Sequence, residues 1–152
     1  MSELPLEEIS VAALTRRCKV NRQTFYYHFH DIYDLLALTF LDETIPGVDE
    51  ANNSEEMATA IYKYYENNQK FIDSTLNSAG KDLFVEFMYN TCYKCFTKFI
   101  NLISDSKRIS APEKKNIVRF RAFAYSLRMF SSFSKQKQAN KPLNDLFLCV
   151  ER

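Results

Sequence analysis

Apolar residues recur at three- and four-residue spacing along most of this chain, and short polar or Pro/Gly/Asn breaks separate the runs. The longest run lies between Lys81 and Ser104. There Leu83, Phe84, Phe87, Met88, Thr91, Cys92, Cys95, Phe96, Phe99, Ile100 and Ile103 follow a 3.6-residue repeat and predict a helix of roughly 35 Å. A second long run, Ile117 to Phe133, carries Ile117, Phe120, Phe123, Ala124, Leu127, Phe130 and Phe133, with Pro112 at a first-turn position before it. Lys141-Pro142 breaks the pattern, and Leu143, Leu146, Phe147 and Val150 predict a short amphipathic helix. Upstream, Ser54 reads as the cap of a helix with Met57, Ile61, Tyr64 and Tyr65 on one stripe. Asn67-Asn68 marks a break, and Phe71, Ile72, Thr75 and Leu76 form a shorter helix stopped by Gly80. With two glycines, four prolines at helix edges and no sustained alternation of apolar and polar residues, the fold class is all-α.

The N-terminal part has finer grain. Ser10 caps a short helix through Val11, Ala13 and Leu14 that ends near Arg17, and Cys18-Lys19-Val20-Asn21 form a turn. Asn21 then caps a second short helix, RQTFYYH, in which Phe25 shares a buried face with Phe29, four positions on. Asp31 caps a third helix from Ile32 to about Asp42. Its apolar positions, Leu35, Leu36, Leu38, Thr39 and Phe40, run nearly all round, so it is expected to be enclosed on all sides. Two short helices joined by a four-residue turn make a helix-turn-helix, whose second helix enters a major groove. No acid occurs from Val11 to His30, whereas Arg16, Arg17, Lys19 and Arg22 do. Arg22 offers a bidentate fork to guanine, Gln23 can pair with adenine, and the Thr24 methyl can meet a thymine methyl. Tyr26, Tyr27, His28 and His30 add hydroxyl and imidazole groups. An ordinary short helix with polar residues outward would read the same way on pattern alone.

The stretch ISVAALTRRCKVNRQTFYYHFHDIYDLL resembles the DNA-binding segment of the TetR family of bacterial transcriptional regulators, sharply over about Leu6 to Phe40. NRQTFYYHFHDIYDLL is similar to the branch that includes regulators of dihydroxyacetone kinase operons. The resemblance implies base contacts by Arg22, Gln23, Thr24 and Tyr26 and phosphate contacts by Asn21, Tyr27 and His28, with Arg16 and Arg17 alongside. It implies double-stranded DNA as partner, a palindromic operator, and a repressor more often than an activator. The chain departs from the family pattern in four places. Lys19 stands where a glycine is usual, Thr15 where a small residue packs, and Ile32 where a lysine often contacts phosphate. The family's first helix has no counterpart before Leu6, which leaves open a rival reading: a helical interaction or co-regulator subunit that has lost direct DNA binding.

The expected organisation is a helix-turn-helix segment with its linking helix over residues 1–41 and a helical regulatory and dimerisation domain over residues 42–152. Phe120, Phe123, Leu127, Phe130, Leu143, Leu146 and Phe147 make an apolar face too large for one short chain to cover. They resemble the family's dimer-forming pair, so a homodimer is expected. The resemblance also suggests an effector pocket, for which Tyr65, Phe84, Phe87, Met88 and Tyr89 are the weak candidates; an aromatic stripe at helical spacing is equally a plain core. A small-molecule effector and a partner protein both stay open.

Charge changes this picture little. The net charge of +1 is a poor argument for nucleic acid by itself. It is unevenly spread, with six acids and no base from Asp42 to Glu56, and ten Lys or Arg against Glu113 alone from Lys107 to Lys141. That basic run fits a second nucleic-acid surface or an acidic partner, or simply a solvated helix face. Four cysteines and no leader-like or membrane-spanning apolar run point to the cytoplasm. Cys92 and Cys95 sit within a helical repeat and read as core thiols rather than metal ligands, and Cys18 and Cys149 as small hydrophobes. No cofactor or metal is expected. Nothing suggests an enzyme, since both histidines lie in the head, no Ser or Cys nucleophile has a nearby base, and there is no phosphate-cradling glycine loop.

Overall fold

The computed structural model describes Leu6, residues 9–103 and residues 108–139, with side-chain surroundings up to Phe133. Among the described residues it contains seven α-helices and no strand: α1 (Val11–Cys18), α2 (Arg22–His28), α3 (Ile32–Asp42), α4 (Ser54–Asn67), α5 (Gln69–Leu76), α6 (Lys81–Leu102) and α7 (Ala111–Ala139). The all-α expectation holds. Leu143, Leu146, Phe147, Val150 and Cys149 lie outside the described residues. The chain divides into two compact units, Met1–Met88 and Tyr89–Arg152, with the division inside α6.

In the first unit the helix starts are set by local chemistry. Ser10 accepts from the amide of Ala13, Asn21 from Gln23, and Asp31 from Tyr33 and Asp34. Each satisfies amides that the first turn of a helix leaves unpaired. The cap of α4 is Asn53, not Ser54. Its carboxamide oxygen accepts from the amides of Glu55 and Glu56 at 3.0 and 2.9 Å, and Glu56 reaches back to Asn53 Nδ2 and the Asn52 amide at 2.8 Å each. This two-way arrangement displaces Ser54 into the first helical position.

The core of this unit is aromatic. Phe40, from the end of α3, lies 5.2 Å from Phe87, 5.6 Å from Phe84 and 6.1 Å from Phe71, ring centre to ring centre. Phe84 is fully buried, as are Met57, Ile61, Tyr65, Ile72 and Met88. Each large side chain so enclosed stabilises the fold by about 1.5–3 kcal/mol before entropy is charged against it. Two buried tyrosines have carboxylate partners. Tyr65 Oη donates to Asp73 at 3.1 Å, and burial followed by that neighbouring charge pushes its pKa up to about 12; burial, then Glu43, pushes Tyr64 further up. Gly80 is buried, and a Cβ there would lie 2.6 Å from Leu36 Cδ2, so a larger residue would require the Leu36 side chain of α3 to move. Leu6 is buried against the same place, and its amide donates to Ser74 Oγ.

Helix α3 is not enclosed all round. Leu36 and Phe40 are buried, but Leu38 and Leu41 are exposed, Leu41 by 78%. The apolar residues of α3 outnumber the positions its neighbours cover.

In the second unit Phe96 of α6 meets Tyr125 of α7 edge-on at 5.0 Å. Cys92 and Cys95 are buried, and burial pushes the Cys92 thiol up to about 12. Helix α7 begins with a reciprocal cap just ahead of Pro112. Ser110 Oγ lies 3.5 Å from the amide of Glu113, while Glu113 Oε2 accepts from the Ser110 amide at 2.9 Å and from its hydroxyl at 2.5 Å. The buried side of α7 is Val118, Ala122, Ser126, Met129, Ser132 and Phe133. Ile117, Phe120, Phe123 and Leu127 face outward. No helix among the described residues is long and apolar enough to cross a membrane.

Candidate nucleic-acid interface

The interface begins with a turn that costs backbone strain. Lys19 caps α1 in the left-handed region at φ 55°, the one non-glycine residue with positive φ among those described. A side chain there costs about 1 kcal/mol or more relative to glycine. The geometry is enforced by hydrogen bonds from the Lys19 amide to the Arg16 carbonyl at 3.2 Å and from the Val20 amide to the Thr15 carbonyl at 3.0 Å. Thr15 is buried, and its hydroxyl donates to the Val11 carbonyl at 2.8 Å. The chain can therefore reverse and bring α2 against α1.

Phe25 anchors α2. It is 6% exposed, and its ring sits 5.3 Å from Phe29, which is only half-buried and ends the helix as its C-cap. Phe25 is the only residue of the helix that is buried; Arg22, Gln23, Thr24, Tyr26, Tyr27 and His28 are exposed, as is the cap Asn21. Tyr27 is exposed by 84% and Tyr26 by 53%, which is unusual for aromatic side chains of this size. Tyr27 meets His28 edge-on at 5.0 Å. Arg16 and Arg17 are exposed in the last turn of α1. The seven sequence-derived residues from Asn21 to His28 are thus placed outward, and the arginines of the preceding helix are free of the core. Cys18 is exposed too, not packed as a small hydrophobe, because the turn at Lys19 carries it to the end of α1.

One polar pair was missed by pattern reading. His30 Nδ1 lies 2.8 Å from Asp34 Oδ2, and the His30 amide donates to the same oxygen at 2.9 Å. The signal was present, since the two stand four residues apart across the α2–α3 junction. The backbone amide of His30, then its ring, hold the Asp34 carboxyl below the ordinary aspartate range.

The other candidate residues are placed differently. Tyr65, Phe84 and Met88 have no exposure and Phe87 very little; they are tightly packed core. Tyr89 belongs to the second unit, with its ring 6.0 Å from Tyr93. Phe120, Phe123 and Leu127 are exposed by 75, 57 and 51%, and Phe130 is half-buried. A shallow depression elsewhere, about 510 Å³, is lined by Pro46, Gly47, Asn53, Glu55, Glu56, Thr59, Ala60 and Lys63. Its rim is acidic and contains none of the sequence-derived site residues. No group of three or more His, Cys, Asp or Glu suited to a metal ion occurs among the described residues.

A family model for a transcriptional regulator C-terminal region, of TetR type, matches residues 52–137, more than half of the chain. No curated protein and no solved structure matches it. The match covers α4 to α7 and is independent of the N-terminal stretch whose likeness was read from sequence.

Proposed function

The chain belongs to the TetR family of transcriptional regulators, and from that premise we propose that it binds a palindromic operator directly, as a homodimer, with α2 as its recognition helix. Arg22, Gln23, Thr24 and Tyr26 read bases, and Asn21, Tyr27 and His28 grip phosphates, with Arg16 and Arg17 adding positive potential. Two copies related by a two-fold axis set their recognition helices about 34–36 Å apart on successive major-groove faces. The protein acts in the cytoplasm, as a repressor rather than an activator, because occupation of an operator suffices to block transcription without a further partner.

One observation carries this reading. Every polar side chain of α2 points away from its single buried anchor, Phe25. Fluorescence anisotropy with a duplex from the protein's own promoter tests it. Arg22→Ala is expected to weaken specific binding by about 1–3 kcal/mol, roughly 5- to 150-fold. Equal binding of variant and parent, or none by the parent at low salt, overturns direct DNA recognition. A second reading, an interaction subunit that has given up DNA, is favoured by one feature: the outward phenylalanines of α7 fit a partner protein as well as a second copy.

A further inference from the structure

The outward side of α7 is more specific than an apolar patch. Ile117, Phe120, Phe123, Ala124 and Leu127 are exposed, and the last four stand at positions i, i+3, i+4 and i+7. That diamond is the hole into which a facing helix inserts one side chain, and Ala124 keeps one corner of it low. From Ile117 to Leu127 the stripe runs about 15 Å, the length of about three turns of a partner helix.

Its borders are cationic. At 3.6 residues per turn, Arg119 and Arg121 fall about 100° to either side of Phe120, and Lys115, one turn earlier, extends the Arg119 border. All three are exposed, and no carboxylate among the described residues pairs with them. No acid occurs from Lys114 to Phe133, and Glu113, the one acid of α7, is engaged with Ser110. The same stripe of a second copy would set cations against cations along both borders. Charge balance calls instead for a partner that brings acids to both. A lipid surface would supply negative charge but no side chain shaped for the hole.

We propose that this face docks an amphipathic helix of another protein, one whose apolar stripe is bordered by Asp or Glu. That helix lies along α7 with one apolar side chain in the hole made by Phe120, Phe123, Ala124 and Leu127. The proposal goes beyond operator binding and holds whether or not α2 reads DNA. The operator reading requires two copies and does not fix the face that joins them.

Fluorescence anisotropy of a labelled helical peptide of about five turns, titrated with the full chain, tests the proposal. The peptide carries leucines along one stripe and glutamates on both borders; a twin has lysine for each glutamate. The glutamate peptide is expected to bind at least about tenfold tighter than its twin, by a margin that shrinks as salt rises. Arg119→Glu combined with Arg121→Glu should reverse the preference, and binding of the lysine twin then shows that the variant is folded. Phe120→Ala should weaken the glutamate peptide by about tenfold and leave its salt dependence unchanged. Equal binding of the two peptides, or binding of neither, overturns the proposal. Vesicles of anionic phospholipid that bind the parent but not Phe120→Ala would assign the face to a membrane and overturn it too. A parent that sediments as a dimer, and as a monomer once Phe120 is replaced by Ala, would assign the face to a second copy with the same consequence.

Discussion

In α2 a single aromatic side chain is buried and the polar residues face outward; in α7 serines and an alanine are buried while Phe120, Phe123 and Leu127 face outward. The first arrangement is ordinary amphipathicity compressed into two turns. The second departs from it: Val118, Met129 and Phe133 are buried, but Ala122, Ser126 and Ser132 share that inner side while larger apolar residues stay exposed. Ser126 donates its hydroxyl to the Phe123 carbonyl of its own helix at 2.9 Å, so its burial costs no hydrogen bond. The two helices therefore indicate different partners: a polar, hydrogen-bonding surface at α2 and an apolar one at α7.

The largest expected effect breaks the α7 side of this contrast. Replacing both Phe120 and Phe123 by Glu places charge on an exposed face and should leave the monomer's stability within about 0.5 kcal/mol. If a second copy covers that face, sedimentation will show monomers, and operator affinity will fall by about a hundredfold or more through loss of bivalent binding. An unchanged mass in solution would assign the face to another protein.

The contrast also explains what could be read from the sequence. Ser10, Asn21 and Asp31 were recognisable caps because capping depends on the few residues next to it, and α1 to α3 start where those residues predict. The outward side of α2 was legible because one phenylalanine among polar neighbours leaves one choice of inner face. Helix α7 offered two choices. Phe120, Phe123 and Leu127 read as a face for a second copy and are exposed, while Val118, Ala122, Ser126, Met129 and Phe133 form the inner side, and hydropathy alone cannot distinguish a face that packs within the chain from one that packs on a neighbour. The same ambiguity misled the reading of α3, whose Leu38 and Leu41 are exposed. At Asn53 and Ser54 two good caps stood side by side, and Glu56, bonded back to Asn53, decided between them.

A smaller effect sharpens the α2 side. The recognition helix owes its placement to a turn that Lys19 enters at φ 55°. Lys19→Gly should raise stability by about 1 kcal/mol by removing the left-handed penalty, partly offset by the greater freedom glycine brings to the unfolded chain. A denaturant midpoint that moves upward at unchanged slope would confirm it. The same variant removes a cation beside α2, so its DNA affinity should fall modestly and uniformly across sequences, as expected for a charge that tracks phosphate rather than bases. A downward midpoint would mean that the Lys19 side chain contributes more than its backbone costs.

The smallest effect separates the two helices by the chemistry of their first turns. Asn21 caps α2 with a neutral carboxamide that accepts from the Gln23 amide at 2.9 Å, so its bond does not depend on pH. Helix α7 instead uses the Glu113 carboxylate, whose pKa is lowered by the Ser110 hydroxyl and then by the Ser110 amide. A depressed folded value means that the contribution of Glu113 is complete above its unfolded value of 4.5 and is lost as pH falls through the lower folded one. Amide exchange across the first turn of α7 should therefore quicken below about pH 4.5 relative to its intrinsic rate, while that of α2 keeps its protection. Glu113→Gln retains a hydrogen-bonding amide without the charge and should remove the acid dependence. If both first turns loosen together on acidification, a global transition governs the change rather than the cap at Glu113.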